Sequence, residues 1–383
     1  MGQQENSSGF ELDRYRALFP ITKRYCFLNH AAISPWSTRI AQAVEGLLQE
    51  FCEQGITAYP QWMKRVERVR GLFATLVGAD PKEIAFVGNT SEGLSIVASG
   101  IKWRAGDKVL VSMPDFPANV YPWMNLEAKG VELIPVNRRN GRLEVEDFRK
   151  LLQPGARMIA LSSVDFATGF YCDLQGIGEL CKEKGLFFCV DAIQSLGAIP
   201  MDVKKFGIHF LAAGGQKWLL GPMGCGGLYV DASVLGLIDP IVVGWRSVTR
   251  EEDFFDIHFE LKPDATKFEP GTRNLMGIYA LGAAIELLLE VGIEGIKDRI
   301  FALNDRFIDG LGARGLKIIT PTGVQERSGI LCFKPKRDPK ALFRHLAQKG
   351  IIVSERNNLI RISPHFYNNE EEVQKFFAAL DSF

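Results

Sequence analysis

Apolar positions along the chain recur in two alternating periods. From about residue 60 to 230, stretches with helical spacing are separated by short runs that are apolar throughout. "RVERVRGLFATLVG" has the spacing of an amphipathic helix, and "EIAFVG" after it has that of a short strand. "SEGLSIVASGI" resumes the helical period, and "IGELCKEKG" is a helix stopped by Gly185. "DKVLVSM", "VELIPV", "RMIALSSV", "LFFCVDA", "FLAAGG" and "CGGLYV" read as further strands, apolar on both faces. Strands of this kind, separated by helices, predict a mainly parallel sheet covered on both sides.

After roughly residue 235 the pattern changes. A long apolar helix, "LMGIYALGAAIELLLEVG", is followed by two strand-like runs, "SGILCFKP" and "LIRISP", and a closing helix, "EEEVQKFFAALDSF". The expectation is an α/β protein of two domains: a large one over 20–260 and a smaller α+β one over 261–383, with residues 1–19 packing on the latter. A length of 383 residues suits two cores better than one.

In a parallel sheet, ligands gather at the carboxyl ends of the strands. Five strand ends carry chemistry here. "EIAFV" delivers Gly88, Asn89, Thr90 and Ser91 at a helix start; "KVLVSM" delivers Asp115 and Phe116. "ALSSV" delivers Asp165 and Phe166, "LFFCV" delivers Asp191 and then Gln194, and "FLAA" delivers Gly214, Gly215, Gln216 and Lys217.

A helix N-terminus bearing Thr90 and Ser91 is a seat for a phosphate. A carboxylate such as Asp191 can hold a proton on a heteroaromatic nitrogen, and Phe116 can cover a ring face. A partly desolvated Lys217 beside that cation has a lowered pKa and condenses with an aldehyde. Phosphate, pyridinium, aldehyde and ring face together describe pyridoxal 5′-phosphate.

Charge and cysteine usage narrow the partners. Lys+Arg and Asp+Glu are both 45, so no basic excess is present for nucleic acid or an anionic membrane. The seven cysteines are scattered without a CxxC pair, which argues against a disulfide framework or a zinc site, and no metal is expected. "MGQQENSSGF" lacks the order of a signal peptide, so a cytoplasmic protein with a small-molecule substrate is expected. The sequons at 6–8 and 89–91 are then chance matches.

The stretch "VDAIQSLGAIPMDVKKFGIHFLAAGGQKWLLGPMGCGGLYV" resembles the core of class V aminotransferases. These are fold-type I pyridoxal-phosphate enzymes that include cysteine desulfurases, kynureninase and isopenicillin N epimerase. "FLNHAAISP", "VGNTSEGLSIVA", "DFPANVYPW", "FEPGTRN" and "LIRISPHFYNNEEEV" extend the resemblance over most of the chain. It implies that Lys217 forms the Schiff base with the cofactor and later carries the Cα proton. It implies Asp191 on the pyridinium nitrogen, Gln194 on the ring hydroxyl, and Thr90, Ser91 and Gln216 on the phosphate. Phe116 would stack on the ring and Phe166 would line the pocket. Thr272 would reach the neighbouring subunit's site in a homodimer. Arg361 would clamp the substrate carboxylate. By its place after a strand end, and apart from the resemblance, His30 is expected either to face the substrate or to make local hydrogen bonds.

Three departures qualify this. Phe116 stands where cysteine desulfurases carry His, Gly214 where many relatives have Ser, and Gln216 where many have His. The segment "KGIIVSERNNLIRIS" has no cysteine to form a persulfide, so persulfide-based desulfuration is not expected. Aminotransferase is the first expectation. A lyase of the selenocysteine/cysteine lyase or kynureninase kind, or an epimerase, is the alternative, and a non-catalytic binding protein of the same fold is the reading from a different class.

Overall fold

A computed structural model of the chain describes residues 11–139 and 141–383. In chain order the strands are β1 (Cys26–Phe27), β2 (Ile84–Val87), β3 (Lys108–Met113), β4 (Glu132–Asn137), β5 (Ala156–Ser162), β6 (Phe187–Asp191) and β7 (Phe210–Gly214). They continue with β8 (Gly226–Val230), β9 (Lys317–Ile318), β10 (Leu331–Lys334), β11 (Ile351–Ile352), β12 (Ser354–Arg356) and β13 (Leu359–Ile362).

The seven apolar runs form one sheet of order β2-β8-β7-β6-β5-β3-β4. The pairs β4–β3, β3–β5, β5–β6 and β6–β7 are parallel, whereas β8 is antiparallel to both β7 and β2. Because β8 is flanked by antiparallel neighbours on both sides, β2 runs in the same direction as β7. All five strand ends singled out in the sequence therefore leave from one edge. Successive residues of the central strands feed two different cores. Ile159, Leu161 and Val190 belong to one, Met158, Ala160 and Cys189 to the other. Burial on both faces is why these runs lack a polar alternation.

Helix Leu275–Val291 is apolar nearly all round and is buried against helices Thr38–Glu53 and Tyr59–Val77. Each fully buried Leu or Ile there contributes roughly 1.5–3 kcal/mol relative to exposure. No single helix among the described residues is long and apolar enough to cross a membrane.

The later strands form an antiparallel sheet of order β12-β13-β10-β9. Its core unites Leu303, Phe307, Phe333, Ile360 and Phe376. One element differs from the expected division of the chain: β1, inside the 20–260 segment, pairs in parallel with β11. Two residues are too few to reveal a period in sequence. Residues 1–10, including the first sequon, lie outside the described residues. Further on, Arg16 donates to Tyr367 O and to Glu372 Oε2, both at 2.9 Å, and Phe19 stacks on Tyr367 at 3.8 Å.

Candidate active site

Asp191 closes β6 and is fully buried. Its Oδ1 accepts the Ile193 N–H at 2.9 Å, but Oδ2 has no hydrogen-bond partner among the described residues. A buried, unpartnered carboxylate oxygen is costly. Burial, reinforced by the charge of Asp115, pushes this carboxyl up to about 7, against the opposing pull of Lys217.

Lys217 follows β7 on the glycine-rich turn. The turn is fixed by what comes next: Trp218, Leu219 and Leu220 are all buried, and Leu220 adopts φ 56°. The Trp218 indole N–H donates to Gln194 Oε1 at 2.9 Å, and Ser34 Oγ donates to the Lys217 carbonyl at 2.6 Å. The Lys217 amine itself makes no ion pair with any described residue and lies 5.4 Å from the Phe116 ring centre. Burial pulls it down to about 8; Asp191 opposes that shift, and Arg361 and Arg356 add to it. An amine of that pKa is a competent nucleophile near neutrality.

Phe116 is held by a built turn. Asp115 accepts its N–H at 2.7 Å, Asn119 Nδ2 at 3.1 Å and the Ser162 hydroxyl at 2.7 Å, and takes a further bond from Ser112 Oγ. The ring meets Phe166 edge-on, with centroids 5.4 Å apart. Phe166 sits on a loop pinned by Asp165, whose carboxylate pairs with Arg138 at 2.8 Å and accepts the Ala167 and Thr168 N–H groups.

Thr90 and Ser91 open helix Thr90–Gly100, capped by Asn89. Thr90 Oγ1 accepts the Gly214 N–H at 2.9 Å, tying that helix start to the end of β7. The first N–H groups of the helix have no acceptor within it. A Cβ on Gly214 would stand 2.5 Å from Gln216 Oε1. The Gln216 side chain thus fills the space that a side chain at 214 would need, which accounts for two of the departures together.

Arg361, on β13, is fully buried with no carboxylate partner among the described residues. Its Nη1 donates to Phe166 O at 2.8 Å and its Nη2 reaches Ser354 Oγ at 3.5 Å, while Nε has no partner. Burial, with repulsion from Arg356, lowers it to about 10. Gln194 is placed between Trp218 and Ala31 O, to which its Nε2 donates at 3.1 Å.

One residue stands elsewhere than expected. His30 does not face an open pocket. It is fully buried, with Nδ1 2.8 Å from Ser363 O and Nε2 2.6 Å from Tyr367 Oη, beside the rings of Trp218 and His365. Both ring nitrogens are spoken for, and burial holds the ring neutral, so His30 is a strut behind Trp218. Thr272 is exposed on its own chain and borders a cleft of about 290 Å³ with Gly88 and Glu92. A separate cavity of about 1140 Å³ is bordered by Leu143, Tyr171, Phe301 and Glu326 and by none of these site residues. Sequence reasoning missed Arg356, although "SERNNLIRI" carried a usable signal: strand alternation around an Asn-Asn turn.

These residues fit pyridoxal 5′-phosphate. The orphaned Asp191 oxygen lacks the donor that a protonated ring nitrogen supplies, and the free amine of Lys217 lacks a partner that an aldehyde supplies. The helix start at Thr90 and Ser91 presents backbone N–H groups suited to phosphate oxygens.

The family model for "Aminotransferase class-V" matches residues 27–376. An uncharacterized aminotransferase, YcbU, of Bacillus subtilis is 29% identical over 362 residues, covering 94% of this chain and 95% of the relative. A probable cysteine desulfurase of Methanothermobacter thermautotrophicus is 28% identical over 391 residues, covering 93% and 94%. The apo structure of a cysteine desulfurase from Thermococcus onnurineus is similar with a TM-score of 0.87 at 25% identity, covering 97% of each chain. The chain belongs to the class V aminotransferase family of pyridoxal 5′-phosphate-dependent enzymes.

Proposed function

We propose that the protein is an aminotransferase acting on an amino acid or amine. The observation that carries its use of pyridoxal 5′-phosphate is an orphaned, buried Asp191 oxygen at the same sheet edge as a Lys217 amine without an ion pair among the described residues; transamination is taken from the family to which the chain belongs. When bound, pyridoxal 5′-phosphate supplies an aldehyde that condenses with amines and a ring that withdraws electrons from the substrate's Cα.

The chain's own residues do the rest. Asp191 Oδ2 holds the proton on the ring nitrogen, and Gln194 keeps one Nε2 hydrogen for the ring hydroxyl. Thr90, Ser91 and Gln216 bind the phosphate, and Phe116 covers the ring, with Phe166 lining the pocket beside it. Lys217 Nζ would take the proton from the substrate's Cα and deliver it to the carbon contributed by the cofactor's aldehyde. Arg361 binds the α-carboxylate, its planar fork matching two oxygens.

Thr272 serves the site of a second copy. Its exposure, and that of Phe254, Phe255, Ile257 and Phe259 shortly before it, supports a homodimer. Seven free thiols, six of them buried, support work in a reducing, cytoplasmic setting.

A lyase is the second reading, favoured by relatives named cysteine desulfurase. Against a persulfide carrier, Cys332 is buried with Sγ 3.0 Å from Ala167 O, and burial pushes its thiol up to about 12. The test is incubation of the purified holoenzyme with an amino-acid panel. Accumulation of pyridoxamine phosphate supports transamination. Keto acid and ammonia without it would support a lyase, and racemised substrate an epimerase. Loss of visible absorbance in Lys217→Ala separates an enzyme from an empty scaffold.

A further inference from the structure

The hairpin that carries Arg361 carries a second guanidinium. β12 and β13 are joined by Asn357 and Asn358 alone, at φ 50° and 63°. Two successive left-handed residues make the tight turn whose twist suits a hairpin, and Asn tolerates that conformation better than most residues. The turn sets the register: Arg356 opposes Leu359, Glu355 opposes Ile360, and Ser354 opposes Arg361.

Because side chains alternate between faces, Ser354, Arg356, Leu359 and Arg361 share one face. Ile360 points the other way, into the core of the small sheet. The face with Arg361 is the one that meets Phe166 O across the molecule. Arg356 and Arg361 are diagonal neighbours, about 7–8 Å apart at the backbone. Their surroundings differ: Arg361 is fully buried, whereas Arg356 is exposed.

Neither guanidinium has a carboxylate partner among the described residues. Glu355, the nearest acid in sequence, instead accepts the Asn358 N–H at 3.0 Å. Lys217 feels both arginines, each lowering its amine pKa. A face that presents two cations beside a third, with no anion of its own, is built for a ligand that brings the compensating charges.

We infer that Arg356 recognises a second acidic group, so that the substrate is an amino acid with a carboxylate on its side chain. Arg361 takes the α-carboxylate at depth, and Arg356 takes the distal one nearer the solvent. The inference rests on the proposed role of Arg361.

The test uses the holoenzyme and three acids, aspartate, glutamate and 2-aminoadipate, against asparagine, glutamine and norleucine as neutral counterparts. Dissociation constants are read from the change in the cofactor's absorption. In the wild type, at least one acid binds tenfold or more tighter than its neutral counterpart, and added salt narrows the gap, as expected for a solvent-exposed cation. Arg356→Gln brings the ratio to within twofold while neutral ligands keep their affinity within twofold; Arg356→Lys retains part of the preference. An equal loss of affinity for acid and neutral ligand in Arg356→Gln would overturn the inference, because both arginines would then serve one carboxylate. So would a wild type that binds amino acids without preferring any acid. A wild type that responds to no amino acid overturns this inference and the Arg361 reading together, which separates the two failures.

Discussion

The indole N–H of Trp218 donates to Gln194 Oε1 at 2.9 Å. One bond thereby joins the residue after Lys217 to the turn that follows Asp191. Trp218 is also pressed by Gly329, where an added Cβ would stand 2.3 Å from the indole ring. Overpacking of this kind costs about 1–3 kcal/mol. Gly329→Ala should therefore lower the unfolding midpoint in denaturant and, by shifting Trp218, slow turnover more than it raises KM. A variant with wild-type stability and turnover would show that Trp218 does not position Lys217.

Asp191 sets a pH dependence on the cofactor-free protein. Its folded carboxyl holds a proton up to about 7, above the value near 4 for an unfolded chain. The folded state then binds more protons than the unfolded one between these values, so stability falls as pH rises from about 4 to about 7, and the penalty stands in full above that. Asp191→Asn removes the penalty while keeping an acceptor for Ile193. The apo-variant should be more stable than the apo-wild type at pH 8 by about 1–4 kcal/mol, with the difference much smaller at pH 5. The same variant, loaded with cofactor, should lose about two or more orders of magnitude in kcat, as expected when charge stabilisation is removed. Denaturant titrations at the two pH values and steady-state kinetics check both.

Lys217 titrates the other way. With an amine pulled down to about 8, the fraction able to attack an aldehyde rises about tenfold per pH unit below 8 and levels off above it. The rate at which apo-protein captures pyridoxal 5′-phosphate, followed by absorbance, should trace that curve. A profile that keeps rising to pH 10 would mean that the amine is not desolvated.

Arg361 has no acidic partner among the described residues, so its loss should be felt mainly by the substrate. Arg361→Gln is expected to cost about 2–5 kcal/mol in kcat/KM, which is roughly 30-fold or more. Cofactor content should stay unchanged, and an amine substrate lacking a carboxylate should be spared.

Thr272 can be assigned to a subunit by mixing. If it completes the neighbouring site, heterodimers of Thr272→Ala and Lys217→Ala regain one intact site, and activity returns to roughly a quarter of the wild type after random reassortment. Silent mixtures would place Thr272 in its own chain's site.

Much of this molecule was legible in the residue pattern. Runs such as "LFFCV" and "FLAA" are apolar on both faces because the sheet is covered on both sides, and burial writes that directly into composition. The strand-end positions of Asp191, Lys217, Thr90 and Phe116 followed, since strand direction alone brings such ends to one edge. Side-chain partners could not be read in this way. That His30 spends both nitrogens on Ser363 and Tyr367, more than 330 residues away, depends on contacts distant in sequence. The same holds for the unpartnered Asp191 oxygen and the unpaired Arg361. Arg356 marks the boundary between the two: alternation could have put it on the face of Arg361, but only the tertiary structure decided that no acid among the described residues meets either. Local periodicity reports which way a side chain points; what it meets there is fixed by the packing of the whole chain.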